Sequence, residues 1–261
     1  VILPVLPDQG FGPYGAINPY RFWWAVVLIA GLSFAGYVAM RITGPRRGLM
    51  ITSLLGGIVS STATTAALAR VAATSPALAR PAAAGAILAC AAMFARMIGV
   101  IAVTAPPLLA RLWPILAAMA VAGGVLGLLW QRTSHASLPE PALRNPLALR
   151  FALGFAGLLA VIALVSRALT DWLGEAGLFL TSAVAGLADV DAIIVSTGRL
   201  VGEGIVTPAV AAWALLLGAA VNQATKLALA SGLAGRAVAG PLALAYALMA
   251  AAGALTAWGM A

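Results

Sequence analysis

Charge is what this sequence has least of. Aspartate, glutamate, lysine and arginine make up 8% of the 261 residues, against about 25% in a soluble domain. With 63% apolar residues and a mean hydropathy of +1.05, that scarcity excludes the water-soluble globular, disordered and disulfide-rich secreted classes. One cysteine, Cys90, permits no intrachain disulfide, and one histidine, His135, excludes a multi-histidine metal centre. Lys226 is the single lysine, so the net charge of +8 rests on arginine. The arginines are scattered at the ends of apolar runs, which argues against nucleic-acid binding and for basic groups held at a lipid–water boundary. No Walker motif, Gly-rich dinucleotide fingerprint or Ser/His/Asp set occurs, so neither a cofactor nor enzymatic chemistry is expected.

Long apolar runs are abundant. A helix needs roughly 20 apolar residues to cross a hydrocarbon core about 30 Å thick. Eight segments qualify, near 20–42, 49–69, 81–104, 108–130, 147–169, 174–198, 208–232 and 239–259. The expected fold is therefore an all-α integral membrane protein of about eight transmembrane helices. Trp23, Trp24, Trp113, Trp130, Trp172 and Trp258 fall near the predicted ends, where indole prefers to sit. Turn chemistry separates the runs, as in residues 43–48 and at Ala105-Pro106-Pro107. Residues 1–7 are apolar but too short to span, and read as the tail of a truncated helix. The arginines outside the spans divide seven to six between the two faces, which leaves orientation open.

The two halves repeat one another. Asn18-Pro19 and Asn145-Pro146 open them, 127 residues apart. Thr52-Ser53 matches Thr181-Ser182, Gly57 matches Gly186 and Arg70 matches Arg199, all at a spacing of 129; at 130, Arg96 falls on Lys226. The chain divides into a first repeat at 1–130, a polar linker at 131–146 and a second repeat at 147–261. Duplicated halves are common in secondary transporters, which place their sites between the repeats near mid-membrane. Whether these halves run parallel or inverted is open at this level.

The polar residues inside the apolar runs carry the functional reading. In register, Ser60 corresponds to Asp189 and Thr62 to Asp191. An ionised aspartate at a helix centre costs about 2.5–3.5 kcal/mol on insertion scales, so the pair must be protonated, partnered or facing water. Asp191 is about 200° around a regular helix from Asp189. Both can face one site only if the helix unwinds, which Gly186, and Gly56-Gly57 in the first half, would permit. Asn222 and Lys226 share a face of the seventh segment with Gln223 beside them, and Arg96 takes the equivalent place in the third. Structural alternatives stand beside this: an ion pair for the aspartates, helix packing for Ser60, Ser61, Thr62 and Thr64, and snorkelling for Arg96 and Lys226. Cys90 reads as a small buried hydrophobe, His135 as a solvated loop residue, and Arg46-Arg47 as a contact with lipid phosphates.

Residues 14–20, 33–38, 56–70 and 186–192 give the chain a resemblance to the uncharacterised multi-spanning domain that follows the MgtC/SapB domain in many bacterial membrane proteins. The resemblance covers nearly the whole chain. It implies a bacterial inner membrane and an N-terminal MgtC/SapB-like domain in the full-length protein. It supplies no activity, although the link of MgtC-like proteins to magnesium and acid stress leans toward a cation or a proton.

The expected function is a transporter or channel-like permease for a small ion, a cation above all, with proton coupling an option. Asp189 and Asp191 would bind the ion or carry the proton, the hydroxyls would complete an oxygen-rich shell, and Lys226 would hold a carboxylate charged. The alternative is a regulatory membrane protein that binds another complex and transports nothing. Membrane lipids and the ion are the expected partners, with a homo-oligomer a further option.

Overall fold

Proline and glycine set the helix ends, and the apolar runs fill the space between them. The computed structural model describes residues 5–11, 45–132, 177–202 and 204–260, together with positions 19, 20, 23, 26, 27, 34, 38, 41, 42, 153, 154, 157 and 161. Among them are seven α-helices: α1 (Pro45–Thr74), α2 (Ala79–Thr104), α3 (Pro106–Arg132), α4 (Leu178–Gly186), α5 (Asp191–Gly202), α6 (Pro208–Ala234) and α7 (Arg236–Gly259). A single 3-10 turn, Pro76–Leu78, links α1 to α2. No β-strand occurs among the described residues.

Local chemistry explains the boundaries. Pro208 opens α6, where its missing N–H costs nothing, and the Thr207 hydroxyl before it accepts the Val210 N–H at 3.3 Å. Gly235, at φ 66°, ends α6 in the left-handed conformation and starts α7 directly; its N–H caps the Ser231 carbonyl at 3.0 Å.

Five of these helices are long and apolar enough to cross a membrane: Gly48–Thr74, Pro76–Thr104, Pro106–Arg132, Pro208–Ala234 and Arg236–Gly259. Large apolar side chains such as Leu55, Val121, Trp213, Leu244 and Leu255 face outward from them. Such a surface is stable against lipid rather than water. These helices cover the expected spans 49–69, 81–104, 108–130, 208–232 and 239–259. The sixth expected span, 174–198, is not one crossing helix; it is split into α4 and α5. The spans 20–42 and 147–169, His135 and nearly all of the 131–146 linker lie outside the described residues, where Gln131 and Arg132 belong to the end of α3.

At the centre lies α2, buried almost continuously from Pro81 to Met97. It packs against α1, α3, α5 and α7. A helix apolar on every side belongs inside a bundle, and its small residues admit close neighbours. A Cβ on Gly57 of α1 would come within 2.6 Å of the Ala89 backbone, and one on Gly186 would strike the Gly218 carbonyl. Helices α3 and α7 meet through a reciprocal pair: Gly123 lies against Met249, and Gly253 against Met119. Four residues forward on α3 correspond to four residues back on α7, so these two helices run antiparallel.

Candidate functional site

Two helices are interrupted, and both interruptions are solved with a polar side chain. In α1 the backbone leaves the helical region at Ser60 (φ −159°, ψ 100°). Extended backbone there, with Ser60 Oγ accepting the Ala63 N–H at 3.3 Å, is the geometry of an N-cap. Thr64 Oγ1 and Thr65 Oγ1 donate to the Ser60 and Ser61 carbonyls, each at 2.8 Å, and so satisfy acceptors at the break. In the second half α4 stops at Gly186 and α5 resumes at Asp191. Asp189 Oδ1 accepts the Asp191 N–H at 3.4 Å, just ahead of the new helix, where a carboxylate also complements the helix dipole.

This corrects the expected break in the first half. The helix does not part at Gly56-Gly57, both of which are buried within it. The lack of a side chain at Gly57 is used for contact with Ala89, and the interruption falls where a hydroxyl can cap, at Ser60. In the second half the chain does unwind immediately after Gly186, and the turn brings Asp189 and Asp191 toward one cation. Arg96 Nη1 donates to Asp191 Oδ2 at 2.5 Å, and Arg96 Nη2 lies 3.9 Å from Asp189 Oδ1. The Asp189 side chain keeps 58% of its surface exposed, against 28% for Asp191 and 22% for Arg96. Asp189 is thus the reachable member of the cluster, while Asp191 Oδ1 and Arg96 Nε are buried without a hydrogen-bond partner.

Lys226 does not hold a carboxylate. It is fully buried, with Nζ 3.0 Å from Met93 Sδ and 3.9 Å from Cys90 Sγ. Among the described residues no carboxylate lies within ion-pairing distance of it. The role assigned to Lys226 belongs to Arg96, because α5 and its acidic turn pack on α2. Gln223 Nε2 joins the sulfur cluster at 3.9 Å from Cys90 Sγ, and the Tyr246 hydroxyl of α7 lies beside Cys90 and Thr65 with no partner at bonding distance. Cys90 and Met93 were not legible as polar partners, although their spacing of three on one helix sets them on one face.

Asn222 takes a separate position. Its Nδ2 donates to the Gly186 carbonyl at 2.9 Å and reaches Thr62 Oγ1 at 3.5 Å. Ser61, Thr62 and Thr64 are buried and Ser60 is half-buried, so the hydroxyl run turns inward at the first interruption. Among the described residues no group of three His, Cys, Asp or Glu side chains is arranged to hold a metal. An ion held here would therefore take backbone carbonyls and hydroxyls along with the two carboxylates, the donor set of hard cations.

Comparison with known proteins gives a family and no activity. No solved structure matches the chain. An uncharacterized protein of Aquifex aeolicus (strain VF5) is 28% identical over 181 residues, covering 68% of this chain and 79% of that one. The family model described as "Domain of unknown function (DUF4010)" matches residues 27–234, and the chain belongs to that family.

Proposed function

We propose that the protein is a permease for a small cation, built from two inverted halves that meet at the helix interruptions. The observation that carries this reading is the Arg96–Asp191–Asp189 cluster, seated at a helix break among membrane-length apolar helices. Ionisable groups at such depth are expensive, and they mark ion pathways more often than packing.

Several features support duplication. Helices α2 and α6 begin 129 residues apart and end 130 apart, and α3 and α7 begin 130 apart. The interruptions fall at Ser60 and around Asp189, again 129 apart. The close contacts repeat as well: Gly57 on Ala89 corresponds to Gly186 on Gly218, both members shifted by 129. Gly123 with Met249 and Gly253 with Met119 are one contact related by two-fold symmetry, since each member is shifted by 130. Because those equivalent helices are antiparallel, the symmetry axis lies in the membrane plane. Inverted halves with broken helices at their interface are a recurring plan of transporters.

In this reading Asp189 receives the cation from water. The ion then competes with Arg96 for Asp191, and a proton on Asp191 would release Arg96 in the same way, coupling proton and cation. The bacterial inner membrane, an N-terminal MgtC/SapB-like domain and a homo-oligomeric assembly belong to the same proposal. Purified protein in liposomes tests it by tracer flux of alkali and alkaline-earth cations. Asp189→Asn and Asp191→Asn are each expected to lower flux at least tenfold; undiminished, pH-dependent flux in both variants would contradict the proposal.

A further inference from the structure

Asn222 is 1% exposed, yet its Oδ1 has no hydrogen-bond partner and its Nδ2 serves two masters. One is the Gly186 carbonyl, the last of α4. Within that interruption the Val184 and Ala185 carbonyls accept from the amides of Leu187, Ala188 and Asp189. The Gly186 carbonyl is instead satisfied by Asn222 from α6. The other is Thr62 Oγ1, two residues past the break in α1 and a longer reach at 3.5 Å. Gly186 is held at this distance because it rests on the Gly218 backbone, one turn before Asn222 on the same helix.

The contact to Thr62 has a counterpart in the other half. Thr62 and Asp191 are 129 apart, and Asp191 is gripped by Arg96 of α2, whose place in α6 is one turn from Asn222. Each half therefore sends one long polar side chain to the interruption of the other: Arg96 to the second, Asn222 to the first. Only Asn222 also holds the break on its own side.

We propose that Asn222 is a positioning residue that ties the two helix interruptions to each other, fixing the end of α4 and the start of the second part of α1 as one unit. The inference rests on the paired interruptions and not on which ion, if any, crosses. In a bilayer the loss of its amide leaves the Gly186 carbonyl without a donor, which favours opening of the turn.

Hydrogen–deuterium exchange of the full chain in lipid nanodiscs tests this without reference to transport. Asn222→Leu is nearly isosteric and cannot donate. Peptides spanning 60–64 and 187–191 are both expected to exchange at least tenfold faster than in the wild type, with peptides inside 108–120 and 242–252 unchanged. Acceleration of neither interruption, of one alone, or of all four regions equally would overturn the tie. If Asn222→Leu fails to fold, Thr62→Val cuts only the longer arm. It is expected to speed exchange several-fold at 60–64 and at 187–191, and an unchanged 187–191 segment would overturn the proposal. Loss of cation flux with normal exchange behaviour would fault the permease reading and leave the tie intact.

Discussion

Two buried cations, Arg96 and Lys226, sit at equivalent places in the sequence and in different chemistry. Arg96 meets two carboxylates, and its fork suits them. Lys226 meets a thioether and a thiol, which are weak acceptors. Their substitutions should therefore part company. Arg96→Met strands Asp191 and is expected to cost roughly 2 kcal/mol, below the 3–5 kcal/mol of a fully buried broken pair because both side chains keep some exposure. Lys226→Met exchanges a charge without a counter-ion for an apolar chain of similar length, beside Met93, and should leave stability unchanged or raise it. Thermal unfolding of the two variants in one detergent checks the contrast; equal losses would contradict it. The sequence placed Arg96 and Lys226 in register, but a pairing across 95 residues depends on which helix face meets which turn. Helical spacing names a face and not its neighbour.

At the scale of elements, glycine has two uses here that look alike in sequence. Gly57 and Gly186 are contact glycines: a Cβ would collide with the Ala89 backbone or with the Gly218 carbonyl. Gly99 and Gly124 have nothing within 4 Å of such a Cβ. Gly57→Ala and Gly186→Ala are expected to destabilise by about 1–3 kcal/mol each, as overpacking does. Gly99→Ala and Gly124→Ala should be neutral or stabilising by up to about 1 kcal/mol. Unfolding midpoints of the four variants decide it, and a loss at Gly99 equal to that at Gly186 would refute the distinction. The same ambiguity explains what sequence reading achieved. Five long helices were visible because an apolar run bounded by proline or glycine has one stable form in lipid. The break near Asp189 was visible because two carboxylates on opposite helix faces demand an unwound turn. The break at Ser60 was not, since a glycine pair nearby offers the more obvious hinge, and only the structure shows that pair spent on packing while a serine caps the new helix.

For the whole molecule, antiparallel packing of α3 against α7 has a consequence for topology. The α2–α3 turn at Ala105 and the α6–α7 turn at Gly235 occupy equivalent places in the two halves. If the halves are inverted, those turns lie on opposite faces of the membrane. Single cysteines at Val103 and Ser231, both exposed, in a Cys90→Ser background should be labelled by an impermeant maleimide from opposite sides of oriented vesicles. Labelling of both from one side would make the halves parallel and remove the symmetry on which the proposed exchange of states depends.

The account turns on water reaching the acidic turn between α4 and α5 while that turn lies at membrane depth. A spin label at Ala188 in the same background, in lipid bilayers, measures this by comparing relaxation from a water-soluble nickel chelate with that from dissolved oxygen. We expect the chelate to dominate at Ala188 and oxygen to dominate at a control label on Val125, an outward-facing residue of α3. Oxygen-dominated relaxation at Ala188, matching Val125, would mean that Asp189 faces lipid, and would contradict an ion pathway at this site.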